Sequence, residues 1–162
     1  MAEVKDYFQN YMPGNVCFGC GKDNHGGLQI KSYWDGDEAI CQWQAQPHHH
    51  GWPGLMNGGI IASLIDCHCM CTAMAHAYRL EGRSLDSTPH YKYATGTITI
   101  KYQKPTSNDL PILLKARVTE VKGKKTTLTC EAYSDGEPTV TAEVIAIRVY
   151  DSSTEGNGIF TA

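Results

Sequence analysis

Several residues of this 162-residue chain are of a type and spacing that can do chemistry. Gly58 and Gly59 stand together where a long apolar stretch begins. If that stretch is helical, its unpaired N–H groups and positive dipole end lie there and can stabilise negative charge developing on a carbonyl oxygen. Asp66 follows a little over two helical turns later among apolar neighbours, where a carboxylate is costly to bury without a partner or a purpose. Taken alone, the glycines also read as a tight helix entry, and Asp66 as a core carboxylate satisfied by a nearby hydroxyl. Cys17 and Cys20 have the spacing of half a zinc site, which His25, Cys41 or the run His48, His49, His50 would have to complete. The sequence holds no second Cys-x-x-Cys, so no metal is assigned and the pair reads as reduced thiols packing a leader segment. Cys67, Cys69 and Cys71 alternate and point to different helix faces, which suits small core residues rather than common ligation. In the histidine loop an imidazole can assist proton transfer, the competing reading being a polar loop tip.

The elements that must hold these groups follow from the pattern. Residues 58–78 contain no proline and only the two opening glycines, so they read as one helix of about 30 Å, with Asn57 as N-cap. Both faces of that helix are apolar or small, which requires enclosure on most sides. Residues 28–34 and 39–45 read as a hairpin about Asp35-Gly36-Asp37. Residues 46–56, with Trp52, two prolines and two glycines, form a loop, and 79–94 a polar connection. Four strands follow at 95–103, 112–121, 126–133 and 139–150, turned by Lys122-Gly123-Lys124 and Asp135-Gly136-Glu137-Pro138. In the first of them Ile98, Ile100 and Tyr102 share one side, and Thr97, Thr99 and Lys101 the other. The expected class is α+β: an antiparallel sheet of about six strands curled around one helix. The expected organisation is an N-terminal arm over 1–16, one domain over 17–150 and a loose tail over 151–162.

Composition bounds the rest. With 41% hydrophobic and 19% charged residues the chain suits a packed globular domain. No apolar run is expected to reach the length of a membrane span, and the N-terminus lacks the pattern of a signal peptide, so a cytoplasmic location and no membrane partner are expected. Seven cysteines there should remain thiols. A net charge of −3 argues against general nucleic-acid binding.

The segment Gly54-Leu55-Met56-Asn57-Gly58-Gly59-Ile60-Ile61-Ala62-Ser63-Leu64-Ile65-Asp66 resembles the "His-Gly-Gly, six residues, acid" segment of the hotdog-fold acyl-CoA thioesterase superfamily. Residues 95–105, closing on Tyr102-Gln103-Lys104-Pro105, resemble the strand after the long helix in its phenylacetyl-CoA-type branch, and residues 17–28 resemble a leader found in some members. The resemblance implies a hotdog fold and hydrolysis of acyl-CoA without a cofactor, with Asp66 as general base or as nucleophile. It further implies that Thr95 supplies a water-orienting hydroxyl across a dimer interface, in a homodimer or dimer of dimers, although threonine is an ordinary strand residue too. Asn57 stands where the family commonly has histidine; it can still cap the helix and donate to a carbonyl. His50 and Trp52 in the loop, and Lys104 among the surface cations, are the expected substrate contacts. Two other readings stay open. One is dehydration or hydration of 3-hydroxyacyl-CoA through His50 and Asp66, and the other a non-catalytic acyl-CoA-binding module whose cysteine leader holds metal.

Overall fold

The computed structural model describes residues 3–154, so most of the tail expected over 151–162 lies outside the described residues. A short 3-10 turn (Phe8–Tyr11) leads to β1 (Tyr33–Asp35) and β2 (Glu38–Trp43). A second such turn (Pro47–His49) precedes α1 (Gly58–Leu80), and then come β3 (Tyr91–Tyr102), β4 (Ile112–Lys122), β5 (Lys125–Ser134) and β6 (Glu137–Asp151). The six strands form one antiparallel sheet in the order β1-β2-β4-β5-β6-β3, against which α1 lies. This is the α+β hotdog arrangement expected.

Asn57 starts α1 as predicted: its side-chain oxygen accepts from Gly59 N (2.8 Å) and Ile60 N (3.1 Å), two of the donors that a helix start leaves unpaired. The sheet meets the helix through alternate residues, Ile112, Leu114 and Ala116 on β4, Leu128, Cys130 and Ala132 on β5, and Val140, Ala142, Val144 and Ala146 on β6, all buried. The alanines let the helix come close, and each buried Leu, Ile or Val contributes about 1.5–3 kcal/mol. Because Leu64, Ile65, Cys69, Thr72 and Ala73 are all buried too, α1 is enclosed as its missing charged face requires. The expectation that no run approaches a membrane span needs correcting: by length and composition α1 is apolar enough to cross one, although 61% of its most apolar window is buried inside the fold.

Two strand boundaries also move. The first strand is only Tyr33–Asp35, not 28–34, because Leu28 and Ile30 are buried in extended chain whose carbonyl at Leu28 accepts from the Trp43 indole (2.7 Å) instead of a neighbouring strand. β3 begins four residues early, at Tyr91, inside the predicted polar connection. The N-terminal segment inserts Phe8 and Gln9 into the core. Gln9 Nε2 donates to Ser32 Oγ (3.1 Å), Ser32 N donates to Gln9 Oε1 (2.8 Å), and Ser32 Oγ reaches His68 Nδ1 (2.8 Å). His68 Nε2 donates to Ala39 O (3.0 Å), so this buried imidazole is neutral, and burial pushes its pKa down to about 4.

Candidate active site

Asp66 is half-buried on α1, and the Thr95 hydroxyl of the same chain donates to its Oδ1. A single extra residue makes this bond. In β3 the pairing runs Thr95 with Ala146 and then Thr97 with Ile145, which leaves Gly96 as a bulge. Simple alternation would put Thr95 on the outer face with Thr97, Thr99 and Lys101, all exposed. The bulge reverses the alternation, so Thr95 shares the inward side with buried Tyr91 and half-buried Tyr93. A Cβ at position 96 would lie 3.0 Å from Ile147 Cγ1 and 3.2 Å from Ile145 O, so glycine is what the close strand contact accepts. The bond between the Thr95 hydroxyl and Asp66 closes within one chain. Asp66 and Thr95 line a cavity of about 600 Å³ whose walls include Met70, Met74, Tyr93 and Cys17.

The Gly58 end of α1 is a separate place. Gly58 and Asp66 are eight positions apart, which is about 12 Å along a helix. Gly59 N–H is occupied by the Asn57 cap, whereas the Gly58 carbonyl accepts from Tyr102 OH (2.7 Å). Gly58, Tyr102 and Lys104 line a smaller groove of about 300 Å³. Lys104 forms an exposed ion pair with Glu137 (2.9 Å). The histidine loop belongs to this end too, since Asn57 N donates to His49 O (3.0 Å) and His50 bridges to Met56. His49 is the inward member, its Nδ1 accepting from Gln46 N (2.9 Å) and its ring 5.0 Å from Trp43. His50 Nδ1 bonds to Pro47 O, and Trp52 is 79% exposed. One chain thus brings Asp66 to Thr95, and Asn57, Gly58, Lys104 and His50 to the opposite end of a two-turn gap.

A family model described as the thioesterase superfamily matches residues 53–141, more than half of the chain and the whole span from the helix start to β6. The chain belongs to the thioesterase superfamily. Among proteins of this superfamily it is similar to acyl-coenzyme A thioesterase THEM4 of Xenopus laevis, at 26% identity over 110 residues, 68% of this chain and 44% of that one. The Bos taurus THEM4 is 23% identical over 125 residues, 76% of this chain and 46% of that one. The chain spans less than half the length of these curated relatives. Of solved structures, a thioesterase superfamily protein of Shewanella loihica PV-4 is 29% identical with a TM-score of 0.62, covering 75% of this chain and 91% of that one. The E. coli PaaI protein of the phenylacetic acid degradation operon shares the fold, with a TM-score of 0.61 at 13% identity over 76% of this chain and 82% of that one.

Three residues of this superfamily member escaped the reading of its sequence. Tyr102 was given a strand face and a place in the closing Tyr102-Gln103-Lys104-Pro105 segment but no contact, yet it donates to the Gly58 carbonyl. Gly96 carried a usable signal, since an isolated glycine within a strand pattern marks a bulge. Cys67 joins Cys17 and Cys20: the three sulfurs lie within 4.8 Å of one another, so the partner of the leader pair comes from α1 and not from His25, Cys41 or the histidine loop. The neighbouring Cys17 thiol draws the Cys20 pKa down and pushes that of Cys67 up; Cys17 Sγ lies 3.6 Å from Cys67 Sγ, and Asn15 Nδ2 donates to Cys20 Sγ (3.4 Å). Cys69 points elsewhere, to Cys130, which agrees with its expected role as core.

Proposed function

We propose that this protein hydrolyses acyl-CoA thioesters to free acid and coenzyme A, in a site that two copies of the chain complete. The observation that carries the reading is the Asp66 carboxylate, held by Thr95, on the wall of a cavity large enough for an acyl group. Thr95 occupies Oδ1 and leaves Oδ2 for a water. In the reaction that water attacks the thioester carbon and passes its proton to Asp66. The carbonyl oxygen gains the negative charge, and the C–S bond then breaks as coenzyme A leaves with the proton. Oxyanion stabilisation falls to Gly58 N–H, because the Asn57 cap takes the Gly59 and Ile60 donors. As Gly58 and Asp66 of one helix are about 12 Å apart, one carbonyl meets Asp66 and Thr95 of one protomer and Gly58 of its partner. The long edge strand β3, hydrogen-bonded only to β6 among the described residues, is the natural place for two sheets to join. The names of the THEM4 relatives support the substrate class, as does the fold likeness to a Streptococcus pneumoniae thioesterase described with coenzyme A (TM-score 0.59, 11% identity, 72% of this chain and 84% of that one).

The test is turnover of a panel of acyl-CoAs, with Asp66→Asn expected to lose about 10²–10⁴-fold on the best substrate. Mixing inactive Asp66→Asn with inactive Gly58→Val protein should restore part of the activity, since some mixed dimers hold one intact site. Full activity in Asp66→Asn would sink the assignment, and absence of recovery in verified mixed dimers would sink the shared site. Enoyl product from a 3-hydroxyacyl-CoA would transfer the reading to dehydration.

A further inference from the structure

The sulfur cluster beside the cavity has no part in the hydrolysis described above. Cys17 is exposed, whereas Cys20 and Cys67 are buried. Their sulfurs lie within 4.8 Å of one another, and Cys17 Sγ is 3.6 Å from Cys67 Sγ. Tetrahedral zinc with Zn–S bonds of about 2.3 Å sets its sulfurs roughly 3.8 Å apart, so the observed spacing already suits one ion. We propose that Cys17, Cys20 and Cys67 bind one Zn²⁺ as thiolates, a metal staple that fastens the N-terminal leader to α1 next to Asp66.

The turn carrying the first two sulfurs is built for close approach. A Cβ on Gly19 would fall 2.3 Å from Cys67 Sγ, and one on Gly21 would fall 2.5 Å from Cys17 N and 2.6 Å from Cys17 O. Glycine at both positions is what lets the Cys-x-x-Cys turn fold back on itself and press on the helix. Gly21 N closes the turn on Cys17 O (2.9 Å), while Leu28 N and Ile30 N pin Phe18 O (2.8 Å) and Gly19 O (3.0 Å) from behind. Around the sulfurs Asn15 accepts from Cys17 N (3.0 Å) and donates to Cys20 Sγ (3.4 Å), the kind of outer contact that orients metal ligands. Cys71, one turn beyond Cys67 on the same face, donates to Met12 Sδ of the leader (3.8 Å), so the leader meets the helix through sulfur at this turn as well. Thiolate ligands of this number select a soft or borderline divalent ion, and binding releases the thiol protons to solvent. The staple also has a consequence for the cavity, because Met12, Pro13 and Asn15 of the leader form part of its wall.

The test does not depend on turnover. Protein purified without added metal or chelator should carry close to one zinc per chain by elemental analysis. Cys17→Ser and Cys67→Ser should each retain zinc at least about 10–100-fold more weakly, the loss of a ligand costing no less than loss of an outer-shell partner. Cys130→Ser, remote from the cluster, should keep its zinc. To separate metal binding from any misfolding of a cysteine variant, the unaltered protein is also stripped and reloaded with Co²⁺, which should give the absorption of tetrahedral thiolate coordination and release protons on binding. Metal-free protein that takes up no Co²⁺, with these thiols freely reactive or with Cys17 and Cys67 recovered as a disulfide, overturns the proposal. Failure of the hydrolysis assays leaves the metal measurement standing, and the reverse holds equally.

Discussion

Thr95→Val removes one hydroxyl and keeps the volume of the side chain, so its effect isolates the bond to Asp66. A hydrogen bond to a charged group contributes about 1.5–3 kcal/mol. If the bond holds the carboxylate in its reactive orientation, that energy is lost from the transition state, and at 1.36 kcal/mol per decade kcat falls roughly 10- to 150-fold. KM should change little, since Thr95 acts on the carboxylate and not on the bound substrate. Thr95→Ser should keep most of the activity. The decisive assay is the double variant. A hydroxyl that works only through Asp66 has nothing left to do in Asp66→Asn, so adding Thr95→Val there should cost almost nothing further in kcat/KM, whereas independent roles would multiply the losses. Parental activity in Thr95→Val, or multiplied losses in the pair, would refute the reasoning.

Gly96→Val places a branched Cβ against Ile147 and the Ile145 carbonyl; it should cost about 1–3 kcal/mol of stability in urea melts and lower kcat by at least as much as Thr95→Val. Asn57→Ala should lose about 1 kcal/mol by removing the cap. Asn57→Asp should retain the stability but still lose activity, because it sets a negative charge beside the Gly58 N–H. His68 governs a pH dependence of stability: its folded pKa of about 4 lies below the usual 6.5, so as pH falls the unfolded chain takes the proton first. Stability should therefore decline from about pH 6.5 down through pH 4, by about 2 kcal/mol between pH 8 and pH 5. Denaturant titrations across that range would show it, and His68→Gln should flatten the slope.

The helix was legible because its composition leaves no alternative: a stretch with apolar residues on every side, capped by Asn57, has to be wrapped. The position of Asp66 within it was legible for the same reason. The start of β3 was hidden because Tyr91 and Tyr93 follow a polar run, and their inward direction becomes visible only with the alternation reversed at Gly96. That reversal also turns the Thr95 hydroxyl inward, where a strict two-residue period would turn it outward. The first hairpin strand was overextended because Leu28 and Ile30 look like strand residues and are buried like them, yet their hydrogen bonds go to the leader and to Trp43. The cysteine spacing exposed two of the three sulfurs. The third comes from 50 residues further along the chain and meets them only through the packing of the leader on α1.

The order of the strands has a consequence for how the chain matures. β3 is made directly after α1, yet its only neighbour in the described sheet is β6, the last of the described strands. During synthesis a long apolar helix and an unpaired strand leave the ribosome with only the β1–β2 hairpin to shelter them, and such species are prone to aggregate. A nascent chain stalled before β6 should therefore hold β3 unpaired and be a client for chaperones.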